Sequence, residues 1–202
     1  MASRIEIING ALIRLGQAPI VSEDEDSKEA VYSKQIMDTE FAELLAEADW
    51  HCAYSTASLV KLAEDPVGFK YAYQLPNDCV RPVKIELDCN PFFLNQTSYG
   101  DTASSSQSAY RIEKRKLCTD AEDVVLGYVS KIGVSEMDPT LAATFILKMA
   151  AALSYSLTAS TTNAQLQDQL YRAKLKTTKG KNALQMAQLH KDAEAIRVRR
   201  VR

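Results

Sequence analysis

The sequence has little of the material from which catalytic sites are usually built. Among its 202 residues are seven glycines and two histidines, His51 and His190. It has no glycine-rich phosphate loop, no GxSxG nucleophile motif and no HExxH zinc motif. His51 precedes Cys52, but adjacent residues of a strand face opposite sides, so a packed junction after Trp50 explains the pair better than a nucleophile and its base. We expect no enzyme activity and no cofactor.

Closely spaced cysteines and long apolar runs are also missing. The cysteines show no CxxC spacing, which favours buried, reduced thiols over a disulfide framework. They are Cys52, Cys79, Cys89 and Cys118. No stretch approaches the roughly 20 consecutive apolar residues of a membrane span, and Glu6 and Asn9 interrupt the N-terminal region. We therefore expect neither a membrane-spanning segment nor a cleaved secretory leader.

The charges are nearly balanced overall but unevenly placed. The chain has 24 Lys and Arg against 26 Asp and Glu, a net charge of -2. Residues 1 to 50 hold four basic and eleven acidic side chains, whereas residues 171 to 202 hold ten and two. This asymmetry favours electrostatic contacts between subunits, or a basic tail that docks on a negatively charged partner.

Two charged segments supply the candidate functional residues. The acidic loop consists of Glu23, Asp24, Glu25 and Asp26. It lacks the glycine and the ligand spacing of an EF-hand, so no metal site is expected there. The C-terminal arm consists of Arg197, Val198, Arg199, Arg200, Val201 and Arg202. Because the arm has no local core in which to bury its two valines, we expect it to be extended and to lie on a partner surface.

The first half of the chain begins with two predicted helices. The first runs from Ser3 to Leu15, because Ser3 and Glu6 have the spacing of a capping box and Gly16 can end the helix. The second runs from about Ser27 to Asp49 and is followed by Trp50. Its apolar stripe is Val31, Met37, Phe41, Leu44, Leu45 and Ala48.

Two further helices are predicted in the last third. Asp138 followed by Pro139 is a specific start signal, and this helix reaches about Thr158. Its face is Leu141, Phe145, Met149, Ala152 and Ser156. The last helix starts near Thr162 and is expected to bend or break at Gly180. Its stripe, at alternating steps of four and three, is Leu166, Leu170, Ala173, Thr177, Gly180, Leu184 and Ala187.

Turn residues and short alternating runs predict strands in the middle of the chain. The candidate strands are Phe69 to Leu75, Arg81 to Asp88, Ala109 to Leu117 and Val124 to Tyr128. The polar segment 97–109 between them is a loop. The predicted fold class is therefore α+β, a four-helix bundle-like domain with a β-rich insertion between the second and third helices. The bundle comprises 1–66 and 132–196, the insertion 67–131 and the arm 197–202.

The order of several motifs resembles that of the tail tubular protein A family, the head-to-tail adaptors of short-tailed bacteriophages. The likeness covers most of residues 3 to about 190, and EADW followed by YQLPNDC is its most specific part. The motifs that carry it are LIRLGQAPI, LLAEADWHCAYSTASL (44–59), FKYAYQLPNDCVRPVKI (69–85), YRIEKRKLCTD (110–120), LGYVSKI (126–132) and MDPTLAATFILKMAAALSYSLTAS (137–160).

The resemblance implies a structural virion protein without catalytic activity. Such adaptors form a ring, usually of twelve copies, between the portal protein of the head and the tubular nozzle of the tail. DNA passes through the ring without sequence-specific binding, and the ring assembles in the host cytoplasm. On this basis the C-terminal arm would reach the portal, because arginines suit carboxylate partners. The acidic loop would face either a neighbour's basic helix or the channel.

A nucleic-acid-binding module is the alternative function. Residues 171 to 202 would then act as a basic helix and arm on duplex DNA. The sequence pI of about 5.8 and the negative remainder of the chain argue against it, since they would repel a duplex.

Overall fold

The structure is a computed structural model that describes residues 2–64, 66–87, 90–93 and 110–200, with side chains for 2–64, 66–87 and 110–187. The chain forms two compact units. One consists of Met1–Ala53 and Ile132–Arg202, and the other is Tyr54–Lys131. Four helices and two antiparallel sheets make the fold α+β, with the strands inserted between the second and third helices, as the sequence predicted.

The helical unit contains α1 (Arg4–Arg14), α2 (Lys28–Ala46), α3 (Pro139–Thr158) and α4 (Thr161–Arg200), with short 3-10 turns at His51–Ala53 and Val134–Glu136. The predicted caps are confirmed. The Ser3 hydroxyl accepts from the Glu6 amide at 3.1 Å while the Glu6 carboxylate accepts from the Ser3 amide at 2.8 Å. The Asp138 carboxylate accepts from the amides of Thr140 and Leu141, which opens α3. Local side-chain hydrogen bonds therefore set these helix starts.

The second helix is shorter than predicted. It ends at Ala46, and the chain then turns so that Trp50 is only 1% exposed, with its indole Nε1 donating to the Leu44 carbonyl at 2.7 Å. Met37, Phe41, Leu44 and Leu45 of the predicted stripe are buried. Val31 is exposed, so its place in that stripe is wrong.

The third helix is the most apolar element of the helical unit. By length and composition it could cross a membrane, but 56% of its apolar 18-residue stretch is buried inside the fold, and a buried core helix meets the same criteria. Leu141, Phe145 and Met149 are fully buried, as predicted. Ala152 and Ser156 are exposed, and the core side is continued instead by Leu153.

The fourth helix differs most from the prediction. It continues through Gly180 without a break for 40 residues. The predicted stripe is not its buried side, since Leu166, Leu170 and Leu184 are exposed. Between residues 161 and 187, the buried residues of α4 are Gln167, Tyr171, Thr178, Asn182 and Met186. Three of these five are polar side chains facing the bundle, whereas Leu166, Leu170 and Leu184 face solvent.

The strand unit holds two four-stranded antiparallel sheets. Their strands are β1 (Tyr54–Ser58), β2 (Val60–Lys61), β3 (Tyr71–Gln74), β4 (Cys79–Leu87), β5 (Asn90–Phe93), β6 (Tyr110–Glu113), β7 (Lys116–Thr119) and β8 (Val124–Ser130). One sheet has the order β1-β8-β4-β5 and the other β2-β3-β7-β6. Both sheets contribute to one core, with Ile85 and Leu126 from the first and Tyr73 and Leu117 from the second.

Several strands were not expected from the sequence. β1 and β2 lie before residue 67, in the part assigned to the helical bundle, and β5 was not predicted. The single strand proposed for Ala109 to Leu117 is wrong for 110–117: β6 and β7 form a hairpin with Lys114 and Arg115 at positive φ. Left-handed backbone at a non-glycine residue is costly. The Arg115 guanidinium offsets that cost by donating to the Pro76 carbonyl at 2.6 Å.

One glycine of the central strand β8 is required by a close neighbour. A methyl group built on Gly127 would lie 3.0 Å from Cζ of Tyr54, and closer still to its hydroxyl. The two strands are paired antiparallel, with Gly127 opposite Thr56. Because Gly127 has no side chain, the Tyr54 ring can pack directly against its backbone.

The cysteines have the environments of ordinary thiols. Cys79 and Cys118 are buried and free, and Cys52 is half-buried and free. Cys89 and the polar loop 97–109 lie outside the described residues.

Replacing Trp50 by Ala should lower the free energy of unfolding by about 3–5 kcal/mol, because it empties a large buried site. The measurement is urea denaturation followed by far-UV circular dichroism, since Trp50 is the single tryptophan. Val21→Ala, at an exposed position of the same unit, is the control and should change stability by less than about 0.5 kcal/mol. Equal midpoints for the two variants would contradict the prediction.

Candidate interaction surface on the long helix

The outward side of α4 carries an apolar face that we call the leucine face: Leu166, Leu170 and Leu184. Their residue exposures are 50%, 43% and 75%. Leu166 and Leu184 are separated by about five helical turns, so they lie in line along roughly 27 Å of helix. Ala173, Thr177 and Gly180 fall on the same side by helical spacing, and nothing lies within 4 Å of a methyl group built on Gly180. The residues between Leu170 and Leu184 on this side are thus small and exposed.

Lysines border this face on both sides. At about 100° per residue, Lys174 and Lys181 fall on one side of the leucine face and Lys176 on the other. Lys176 and Lys181 are exposed and Lys174 is half-exposed. From 161 to 187, α4 has five basic residues and one acidic residue. This combination of exposed leucines and lysines is suited to a partner that is apolar at its centre and acidic at its rim.

A buried lysine of α3 holds three glutamates, one of which also accepts hydrogen bonds from α4. Lys148 of α3 is 8% exposed, and its ammonium group lies 3.1 Å from Glu43, 3.4 Å from Glu40 and 3.6 Å from Glu47, all on or just after α2. The α4 hydroxyl of Tyr171 donates to Glu47, as does the ammonium of Lys179 at 3.3 Å. We call these six residues the Lys148 network. It joins three helices through charged hydrogen bonds.

The protonation states of the network follow from competing effects. Burial lowers the pKa of Lys148, but the hydrogen bond to Glu43 and the charges of Glu40 and Glu47 outweigh it, so that the net pKa is raised. Burial raises the pKa of Glu47, but the hydrogen bonds from Tyr171 and Lys179 outweigh it, and the net pKa is lowered. Burial and Glu47 together raise the pKa of Tyr171, which keeps its hydroxyl a donor. At neutral pH Lys148 and Glu47 are therefore charged, and the Tyr171 hydroxyl keeps its proton.

Two further polar residues hold α4 along its length. The hydroxyls of Thr178 and Thr144 are 2.8 Å apart. Further along, the Asn182 side chain accepts from the His51 amide at 2.8 Å and donates to the Asp49 carbonyl at 2.6 Å. Because each contact satisfies a group that the bundle buries, rotating α4 would leave several of them without partners.

The neighbouring His51 and Cys52 do not form an activated pair. His51 Nδ1 lies 3.3 Å from the Asn182 side-chain oxygen and 3.7 Å from the Asp138 carboxylate. Burial raises the pKa of the Cys52 thiol, which disfavours the thiolate that a nucleophile requires. Within the described residues, no three His, Cys, Asp or Glu side chains are grouped so as to hold a metal ion.

The acidic loop is largely engaged within its own unit. Arg4 donates to Glu23 at 3.0 Å, and Lys34 donates to Asp24 at 2.5 Å. Glu25 accepts from the backbone amides of Val21 and Ser22. These contacts order the loop, and Asp24 and Asp26 remain exposed.

The C-terminal arm has a different conformation from the expected one. Residues Arg197 to Arg200 belong to α4, so the extended conformation predicted for Arg197, Val198, Arg199 and Arg200 is wrong. Val201 and Arg202 lie outside the described residues. The backbone of α4 continues through residue 197 without a change of conformation.

No protein-family model and no curated protein matches the chain. The site is therefore defined by its own residues: a basic helix, anchored by buried polar contacts, with a leucine face directed to solvent. Sequence reasoning identified these leucines but not their exposure. The buried side of α4 could have been recognised from Gln167, Thr178 and Asn182, which lie on one side of the helix. A search for apolar stripes alone does not detect them.

Replacing Glu47 by Gln should lower the free energy of unfolding at pH 7 by about 1–3 kcal/mol, because charged hydrogen bonds to Tyr171 and Lys179 are weakened. Since folding lowers the Glu47 pKa, its contribution is complete above the ordinary value of 4.5 and is lost as the pH falls through the folded value. The gap between the wild type and the variant should therefore close below that pH in urea denaturation. Asp26→Asn is the matched exposed control, and a gap independent of pH would contradict the prediction.

Proposed function

We propose that this chain is a structural virion protein, a head-to-tail adaptor that forms a ring between the portal protein and the tubular tail nozzle. The observation that carries the proposal is the leucine face of α4, an apolar surface held outward by a buried polar network. Contiguous exposed apolar side chains on a rigid element are typical of protein-protein contact sites. The motif order that resembles tail tubular protein A supplies the kind of assembly.

A ring follows from contacts between different surfaces of identical subunits. Heterologous contacts repeat around an axis and close when the rotation per subunit allows it. The strand unit offers edges and loops to neighbours or to the nozzle, and the basic end of α4 is suited to acidic groups of the portal. The exposed carboxylates Asp24 and Asp26 would repel a passing duplex if the loop lines the channel.

The decisive experiment is the mass of the purified protein in solution, measured by light scattering behind a sizing column. The chain is run alone over a range of concentrations and then mixed with its cognate portal protein. We expect weak, concentration-dependent self-association alone and a large stoichiometric complex, of about twelve copies, with the portal. A chain that stays monomeric in both experiments would contradict the adaptor function.

The basic surface of α4 favours a second candidate, a nucleic-acid-binding module. Lys174, Lys176 and Lys181 are exposed or half-exposed on the described part of the helix, and the C-terminal arm adds arginines. This function predicts binding to duplex DNA that weakens steeply with salt. The logarithm of the binding constant should fall with the logarithm of the salt concentration, with a slope of about 0.9 per phosphate contact. The adaptor function predicts a portal complex without such binding.

Deleting residues 197–202 tests the portal end of the proposal. We expect the shortened chain to keep its circular dichroism spectrum and melting temperature, because the described bundle contacts of α4 precede residue 188. We expect portal complexes to be lost. Alanine at Arg14, an exposed basic residue at the end of α1 and outside α4, controls for a general loss of positive charge. A shortened chain that still joins the portal would refute a docking role for the C-terminal arm.

A further inference from the structure

The leucine face follows the heptad spacing of a coiled coil. It belongs to a series of positions along α4 that are separated alternately by four and three residues, and all of them are exposed. The series is Leu166, Leu170, Ala173, Thr177, Gly180, Leu184 and Ala187. An average spacing of about 3.5 residues is that of positions a and d in the heptads, labelled a to g, of a coiled coil. The exposed side of α4 therefore has the spacing of a seam between two helices.

The helical unit does not use this seam. The buried residues Tyr171, Thr178 and Asn182 lie about 150° around the helix from the middle of the series, at about 100° per residue. One side of α4 therefore holds the helix in its own unit. The seam lies on the other side and is available to a helix from outside the unit.

Lysines occupy the positions that flank the seam. With Leu170 at position a, Lys174 and Lys181 take position e, and Lys176 takes position g. Side chains at e and g contact those of the partner helix and determine which helices pair. In a parallel pair of α4 helices, Lys176 would lie beside Lys181 of the second copy. An antiparallel pair would also bring like positions, and hence lysines, together. Charge therefore disfavours the pairing of two leucine faces and favours a partner with carboxylates at e and g.

A second copy of this chain does not supply such a helix from its described residues. The acidic helix α2 buries its apolar side, including Met37, Phe41 and Leu44, within its own unit. Two of its carboxylates, Glu40 and Glu43, already contact Lys148. The partner of the leucine face must therefore come from a different protein.

The middle of the seam indicates the size of the partner's side chains. Gly180 lies inside α4, where glycine is unfavourable, and nothing lies within 4 Å of a methyl group built on it. Ala173 and Thr177 are also small and exposed. The seam is therefore shallow between Leu170 and Leu184, and large apolar side chains of a partner helix would fill it.

We infer that the leucine face forms a coiled coil with an acidic helix of a different protein. That helix has large apolar side chains at positions a and d and glutamate or aspartate at e and g. The lysines attract this partner and repel a second α4, so they provide both sides of the specificity. The inference rests on the proposed function of the leucine face as a contact site. Under that function the helix belongs to the portal, because the C-terminal arm of the same α4 is assigned to it.

Two synthetic peptides of about four heptads each probe the face. Both have leucine at positions a and d and alanine at b and c. The acidic peptide has glutamate at every e and g position, and the basic peptide has lysine there. Binding of each peptide to the full chain is measured by isothermal titration calorimetry at pH 7. We expect the acidic peptide to bind at least about tenfold more tightly than the basic peptide, because only its flanking charges are opposite to those of α4.

Reversing the charge of the flanking positions should reverse this preference. The variant carries Lys174→Glu, Lys176→Glu and Lys181→Glu. It should bind the basic peptide at least about tenfold more tightly than the acidic one. Because binding of the basic peptide is gained, an unfolded variant cannot give this result.

The matched control reverses three exposed lysines of the strand unit. These are Lys70, Lys114 and Lys131. The control has the same net charge as the reversed α4 variant, and it should keep the preference of the wild type for the acidic peptide. A preference that follows net charge in both variants would overturn the inference.

A neutral variant separates apolar contact from electrostatic attraction. Leu170→Gln with Leu184→Gln changes two exposed positions, so we expect the melting temperature to stay within a few degrees of the wild type. Binding of the acidic peptide should weaken at least about tenfold, because the seam loses two of its large apolar side chains. Val21→Gln with Val67→Gln, at exposed positions outside α4, is the control and should bind the peptide normally. Undiminished binding by the leucine variant would refute a coiled coil.

The remaining outcomes distinguish this inference from the adaptor function. A chain that joins the portal but binds neither peptide would overturn the inference and leave the adaptor function intact. A chain that binds the acidic peptide but stays monomeric with the portal would uphold the coiled coil and contradict the adaptor function. Self-association that is lost in the leucine variant would show that leucine faces meet each other and would overturn the inference. Binding of duplex DNA or of anionic phospholipid vesicles in place of the acidic peptide would also overturn it.

Discussion

The helical unit depends on one buried cation. Lys148 sits in an otherwise uncharged helix and is almost fully removed from water. A buried ammonium group without counter-charges is strongly unfavourable, and here three glutamates at helical spacing surround it. Since Glu47 also accepts from α4, the cation fixes the arrangement of three helices at once. Replacing it by an apolar residue would leave Glu40, Glu43 and Glu47 without their shared cation.

Polar groups fix the rotation of α4 in a way that apolar packing would not. Apolar packing tolerates several rotations of a helix, whereas a set of hydrogen-bonding partners is satisfied in one rotation only. Thr178 and Asn182 act in this way along α4. The leucines that would otherwise have been buried are then free for a contact outside the chain. The same contacts that define the bundle therefore also define the surface that we assign to assembly.

Sequence reasoning succeeded where local interactions decide and failed where distant residues do. Caps such as Ser3 and Asp138 act within four residues, so α1 and α3 were predicted correctly at their starts. The rotation of α4 depends on Lys148 and Glu47, which are far away in sequence, and the leucine spacing alone cannot reveal it. The β6–β7 hairpin was missed because Lys114 and Arg115 are unusual residues for left-handed positions. Arg115 is held there by carbonyls nearly forty residues away.

The contact between Tyr54 and Gly127 constrains the order in which the sequence can change. While the tyrosine ring is present, any side chain at position 127 meets it. If Tyr54 is first replaced by a smaller residue, position 127 becomes permissive. The two sites are thus epistatic in one direction. Among diverging copies of this chain, a residue other than glycine at 127 should occur together with a residue smaller than tyrosine at 54.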